Sequence, residues 1–338
     1  MSSAPLTSKQ ADDASVLHRR RFTHDVPFEG DNGLFTQSWF AVAMSYELKA
    51  GQVLGRDFLD GRIVLFRGEN GRAVAMSAYC PHVGADLSVG DVVGNNVRCA
   101  FHHWEYDQSG QCVKTGAGDP APRNACLFVF PTEERFGIIW VFNGEKPLYD
   151  LPTFPYPDED LVMGHPYTPQ LLNADPWVFC ANTPDRQHAV FVHKMKYVED
   201  DFDEKTKYDD FGFYFTYLGR DQDDISMETT LAIRGTSLFY RSGRHGEFWR
   251  GSIVGFGLPR PGQMTMLASN FVLKGPKAEE QLEFTNSVSR RTLGEDRDII
   301  NTVHYRPGTL TKVDKSLARF LHYVRTYPRA HPSADYIR

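Results

Sequence analysis

Two short pairs of metal-binding side chains, Cys80-Pro81-His82 and Cys99-Ala100-Phe101-His102, stand sixteen residues apart. Each pair offers one thiolate and one imidazole. Two such pairs suit a two-iron, two-sulfide cluster in which the cysteines hold one iron and the histidines the other. Pro81 and Gly84 favour a turn at the first pair, so two adjacent loops are expected to grip the cluster from opposite sides. Replacing two thiolates by neutral imidazoles leaves less negative charge on the cluster, which makes an electron easier to add than in an all-cysteine site. Such a site accepts electrons from an ordinary ferredoxin. The competing occupant is a structural zinc, which also takes two Cys and two His. Zinc sites usually carry both cysteines on one turn and both histidines on another, whereas here each loop carries one of each.

The full block, Cys-Pro-His followed by Cys-x-x-His-x-Trp-x-Tyr-Asp with a Gly soon after, resembles the Rieske cluster domain. One position departs from the common pattern. Many members of that family read Cys-Pro-x-His-Gly-Trp at the second loop, and this chain reads Cys99-Ala100-Phe101-His102-His103-Trp104.

The chain has 338 residues, 41% of them hydrophobic and 24% charged, enough for two domains with separate cores. A net charge of −6 leaves no basic excess to neutralise phosphates, which argues against nucleic acid as a partner. The acidic run Glu199 to Glu204 reads as a solvated loop. Of the five cysteines, Cys112, Cys126 and Cys180 remain outside the cluster motif. Three scattered thiols make no disulfide framework, and an iron-sulfur protein fits a reducing compartment, so the cytoplasm is the expected setting. Arg19-Arg20-Arg21-Phe22 has the look of a twin-arginine signal, but no apolar run follows it. No stretch approaches the roughly 18 apolar residues of a membrane span.

Read in order, residues 1–37 form an N-terminal segment, ordered only where apolar residues such as Leu34 and Phe35 dock. Short β-type runs follow at Ser38–Ser45, Arg62–Arg67 and Arg72–Ala78, with a hairpin turn at Gly68–Gly71, and then at Cys126–Pro131 and Gly137–Phe142. They predict a small antiparallel β domain over residues 38–147. The Pro-rich stretch Leu148–Pro157 reads as an extended connector. Residues 148–338 then predict an α+β domain. It has a helix near Asn182–Lys194 and strands around Phe211–Arg220, Ile225–Arg234, Ser237–Tyr240, Gly251–Gly257 and Met264–Val272. Two helices follow, at Gly294–Tyr305 and Lys315–Tyr327.

A second metal motif lies at Asn182-x-x-Asp185-x-x-His188-x4-His193, where Pro184 suits the first turn of a helix. On an ideal helix Asp185 and His188 lie about 60° apart, while His188 and His193 differ by about 140°. The two imidazoles converge only if the helix is locally widened or ends between them. Two imidazoles with one carboxylate and open positions make the facial triad that binds Fe(II) and leaves room for dioxygen. Asp296 is the expected carboxylate, at the start of a helical run, with Asp298 as the alternative; about 200° apart, the two cannot face one iron. Asn182 either hydrogen-bonds at the mouth of this site or caps the helix. Aromatic residues at Phe211–Tyr217, Phe239-Tyr240 and Phe248-Trp249 either line an apolar pocket or form plain core.

Together the two motifs resemble the catalytic α subunit of Rieske non-haem iron oxygenases, in the monooxygenase and demethylase branch. The resemblance rests on Cys80, His82, Cys99, His102, Asp185, His188 and His193. It implies an all-β Rieske domain followed by a helix-grip catalytic domain with an antiparallel sheet. It implies a [2Fe-2S] cluster, a mononuclear Fe(II), O2 as co-substrate, and a ferredoxin or NAD(P)H-dependent reductase as electron donor. It also implies a homotrimer in which the residue matching Asp185 links the cluster ligand His102 of one subunit to the iron ligand His188 of its neighbour. A carboxylate accepting the outer N–H of two ligand imidazoles would fix both rings and shorten the electron path. The expected activity is hydroxylation or oxidative demethylation of an apolar or aromatic small molecule. A Rieske electron-transfer protein without oxygenase activity is the alternative, and a zinc-stabilised binding module a third reading. A carrier needs only about a hundred residues, which leaves the motif at Asp185, His188 and His193 without a role.

Overall fold

The computed structural model describes residues 26–198, 202–306, 308 and 310–338. The Arg19–Phe22 motif and residues 199–201 of the acidic run lie outside them. No helix among the described residues is long and apolar enough to cross a membrane.

Three small sheets build the first half of the chain. A four-stranded sheet runs in the order Val129–Phe130, Ala73–Ser77, Gly61–Arg67, Val53–Phe58. A second links Asp91–Val93, Asn96–Arg98, Glu105–Tyr106 and Cys112–Lys114. The third joins Thr132–Arg135, Ile138–Phe142 and Trp39–Met44. The predicted strands are present with small shifts of boundary, except that Cys126–Pro131 contracts to the two residues Val129–Phe130.

Two strands of the third sheet, Trp39–Met44 and Ile138–Phe142, are buried on both faces. Trp39, Ala41, Met44, Ile138, Trp140 and Phe142 face the core of the C-terminal half, while Phe40, Val42, Ala43, Ile139 and Val141 face the core of the N-terminal half. That is why these strands read as unbroken apolar runs rather than alternating ones. The Pro-rich stretch is extended, but it is packed rather than free: Tyr149, Leu151 and Phe154 are buried, and Trp39 Nε1 donates to the Tyr149 carbonyl at 2.8 Å.

In the C-terminal half an antiparallel sheet of nine strands runs along Leu161–Gly164, Gln263–Leu273, Phe248–Arg260, Leu238–His245, Ser226–Arg234, Gly212–Arg220 and Lys196–Tyr197, with Gln170–Leu172 and Lys207–Asp209 paired at its margins. Strand Gly212–Arg220 alternates buried and exposed side chains, as a sheet with one covered face requires. A 23-residue helix, Ala278–Ile300, packs on this sheet and is tied to it where Asn270 Nδ2 donates to Asn286 Oδ1 at 2.9 Å and to Ser289 Oγ at 3.0 Å.

Three expectations are corrected here. The helix placed at Gly294–Tyr305 begins at Ala278 and ends at Ile300, so Gly294 is interior to it. Its first half is rich in Glu, Gln, Asn and Ser and docks partly through polar contacts, which leaves a weak apolar stripe to read. The helix expected over Asn182–Lys194 is two short helices, Pro176–Cys180 and Arg186–Phe191. Pro184 precedes the second one rather than opening it, and Pro176 occupies the first turn of the other.

In the N-terminal segment Phe35 is fully buried while Leu34 stays exposed. Strand Phe35–Thr36 pairs with Arg329–Ala330, and Ile337 buries its side chain beside Phe58 and Ile63. The last residues of the chain therefore complete the core of the first half.

Candidate metal centres

The two cluster loops are built alike. In the first, Cys80 N–H donates to the Ala85 carbonyl at 2.9 Å and Gly84 N–H to the Cys80 carbonyl at 2.8 Å. In the second, Cys99 N–H donates to the Trp104 carbonyl at 2.9 Å and His103 N–H to the Cys99 carbonyl at 3.0 Å. Each turn places the residue four after its cysteine at positive φ, 83° at Gly84 and 54° at His103. That geometry explains why glycine is common at the second position and why histidine, among the residues better tolerated there, can replace it.

Cys80 and Cys99 are buried within reach of one another, and Tyr106 Oη lies 3.0 Å from Cys80 Sγ. His82 and His102 are exposed, with ring centroids 4.7 Å apart, and His82 stacks on Trp104 at 4.3 Å and 8°. Burial pushes the Cys80 thiol up, so a thiolate at this position needs a nearby cation such as iron. Paired thiols on the buried side and paired imidazoles on the exposed side fit the two ends of a [2Fe-2S] cluster.

The second site lies at the end of helix Arg186–Phe191. Asp185 caps it by accepting the His188 backbone N–H at 3.0 Å, and the helix stops between the two histidines, with Lys194 at φ 53° just beyond. This early ending turns His193 back: His188 Nε2 and His193 Nε2 are 3.0 Å apart, and Asp296 Oδ1 lies 3.0 Å from the first and 3.3 Å from the second. Among the described residues this is the group of three whose donor atoms converge as metal ligands would. No widened turn is present; the chain uses the termination route.

Asp296 is only 5% exposed, and although burial raises its pKa, hydrogen bonds from His188 and His193 outweigh it and hold the carboxyl below the ordinary range. Burial lowers the pKa of His193, but Asp296 and Glu295 reverse that and raise it. Asp298 points away, exposed and paired with Arg297. Asp296 stands near the end of its helix rather than at the start.

Asn182 does not cap the helix; its Nδ2 donates to Asp296 Oδ1 at 3.3 Å. Glu295, which sequence reasoning passed over, sits 2.8 Å from His193 Nδ1. A hydrogen bond there fixes the ring and frees Nε2 to face the metal. Its place next to Asp296 gave no specific clue, since adjacent helical residues point about 100° apart.

A cavity of about 130 Å³ opens over the triad, lined by Tyr217 and Phe239 among the aromatics expected from sequence. Phe213 and Phe215 are core, and Tyr240 and Trp249 pack on Phe154.

The fold sets a pair of Cys-His loops in the first half of the chain and a His-His-Asp triad in the second, two arrangements that suit iron. Residues 38–131 match the Rieske [2Fe-2S] domain family. The chain is 34% identical over 201 residues to the aminopyrrolnitrin oxygenase PrnD of Pseudomonas fluorescens, covering 55% of this chain and 52% of that protein. It is 32% identical over 173 residues to the oxygenase component of dicamba O-demethylase of Stenotrophomonas maltophilia, covering 49% and 50%. With the cholesterol 7-desaturase nvd of Bombyx mori it shares 39% over 121 residues, 35% of this chain and 27% of that one. The matches thus span about half or less of the length of these relatives. In fold, dicamba monooxygenase bound to dicamba superimposes with a TM-score of 0.69 at 20% identity, covering 86% of this chain and 97% of that one. Residues 38–131 thus carry a Rieske [2Fe-2S] domain, and the chain as a whole is similar in sequence and fold to Rieske oxygenases.

Proposed function

We propose that this chain is a terminal oxygenase component that receives electrons through the Rieske cluster and uses O2 to hydroxylate or oxidatively demethylate an apolar or aromatic small molecule. The observation that supports it most is the convergence of His188, His193 and Asp296 within 3.3 Å on a cavity lined in large part by apolar and aromatic side chains. A ferrous ion held by those three side chains supplies the dioxygen chemistry that C–H oxidation needs. The protein's part is positional. Glu295 orients His193, Asn182 hydrogen-bonds the carboxylate of Asp296, and the cavity gives a substrate room beside the triad.

On the cluster side, His82, His102 and Phe101 are exposed, which suits electron entry from a ferredoxin or an NAD(P)H-dependent reductase. We assign Asp185 to the electron path between His102 of one subunit and His188 of the next in a homotrimer, and the protein to the cytoplasm.

Metal and sulfide analysis with EPR tests the proposal. An oxygenase holds about three irons and two acid-labile sulfides per chain, an electron carrier about two irons. Reductase-driven O2 uptake should require the mononuclear iron. Two irons per chain with no uptake would reduce the protein to a carrier.

A further inference from the structure

The walls of the triad cavity are not uniformly apolar. Arg241 and Arg250 also line it, from adjacent strands. Arg241 stands opposite Ser252 and Arg250 opposite Gly243, two positions apart on one face of the sheet. Arg250 is 2% exposed, and its Nε and Nη1 have no hydrogen-bond partner. Arg241 Nε is likewise unpartnered, and its Nη2 reaches only the Met227 sulfur at 3.4 Å, a weak acceptor. Neither guanidinium forms an ion pair with a carboxylate among the described residues.

The nearby charges do not supply the missing partner. Asp221 lines the same cavity, but it accepts His245 Nε2 at 2.8 Å and the backbone N–H groups of Asp223 and Ile225 at 3.0 and 2.9 Å. Arg291 is already paired with Asp223 at 3.2 Å. His245 adds no negative charge, and burial followed by the charges of Arg250 and Arg241 keeps it neutral, its pKa pushed down to about 3. Burial also weighs against the Arg250 cation, yet a guanidinium does not give up its proton in a protein. Two fixed cations therefore face one engaged carboxylate, an arrangement that is costly until an anion enters.

We infer that Arg241 and Arg250 form an anion subsite, and that the substrate is an apolar acid whose carboxylate or sulfonate is held there while its hydrocarbon body lies toward His188 and His193. The planar N–H forks match such oxyanions two bonds at a time. The inference rests on the oxygenase reading for the word substrate, and on the arginine pair alone for the anion.

Titration calorimetry on the iron-loaded, oxidised protein tests it with benzoate, benzenesulfonate and neutral benzamide. At least one of the two anions should bind tenfold or more tightly than benzamide, and the two arms distinguish carboxylate from sulfonate. Arg250→Met and Arg241→Met should each abolish that preference while benzamide affinity, iron content and cluster absorption stay the same. Should a variant fail to fold, the wild-type comparison of anion with amide still decides. Absence of anion binding, equal affinity for benzamide, or a preference that survives both substitutions overturns the subsite. Iron and sulfide content is measured on the same samples. A protein with the triad iron but no anion preference loses only the subsite, and one with the preference but no triad iron loses only the oxygenase reading.

Discussion

Gly84 and His103 occupy equivalent places in the two cluster loops, each four residues after a cysteine, each donating to that cysteine's carbonyl and each at positive φ. The first loop has the residue the geometry favours, and the second carries a side chain in a left-handed conformation. A non-glycine residue there costs about 1–2 kcal/mol, partly offset by the greater chain entropy glycine loses on folding, about 0.5–1 kcal/mol.

His103→Gly should therefore stabilise the first half of the chain by about 0.5–1 kcal/mol. His103→Val, β-branched and poorly tolerated at positive φ, should destabilise it by about 1–2 kcal/mol. Thermal unfolding followed at the cluster absorption checks both; a valine variant as stable as the parent would remove the strain argument.

Glu295 hydrogen-bonds the outer nitrogen of His193. Glu295→Gln should weaken Fe(II) binding at the triad about 10–100-fold while the Rieske spectrum stays unchanged. Asp296→Ala should empty the triad, and Asp298→Ala, at an exposed side chain, should leave it loaded. Iron titration of each variant reads the difference.

Asp185 caps helix Arg186–Phe191 through the His188 backbone N–H. Asparagine caps a helix about as well as aspartate, whereas alanine gives up about 1 kcal/mol. Asp185→Asn should thus keep the fold and both metals and still slow cluster-to-iron electron transfer, because it removes the proposed carboxylate bridge. Asp185→Ala should show both losses. Single-turnover rates equal to wild type in the asparagine variant would confine Asp185 to its cap.

Glu29, 1% exposed, accepts the Thr36 N–H at 2.9 Å and lies 3.5 Å from Arg329. Burial raises its pKa from 4.5 to about 7. The folded protein then holds a proton that the unfolded chain releases, so its stability is full below 4.5 and falls as pH rises to about 7. The loss amounts to about 3 kcal/mol at most. Glu29→Gln should flatten this slope, measured as denaturation midpoints across that range.

The two cysteine-histidine turns were legible because their residues act within a few places of one another, and a turn of known geometry is a local property. The spacing of Asp185, His188 and His193 was legible for the same reason, but it left the choice between widening and ending the helix open, and the structure ends the helix at Phe191. Asp296, preferred to Asp298 from sequence, is the one whose carboxylate approaches the two histidines, although its helix starts sixteen residues earlier than expected. Asn182 was left between two roles, and only the approach of Asp296 from a distant helix resolved which group it bonds.

What the sequence determined by itself is what neighbouring residues decide among themselves: two cysteine-histidine turns, short β-type runs, and two histidines that a regular helix cannot bring together. Tertiary structure alone decided which groups meet from afar. It brought Glu295 to His193, packed the last residues into the first core, and set Arg241 and Arg250 side by side without a carboxylate to answer them. The physical reason is that a turn is stabilised by bonds between residues a few places apart, whereas a buried charge or a metal-ligand partner depends on what the folded chain places around it.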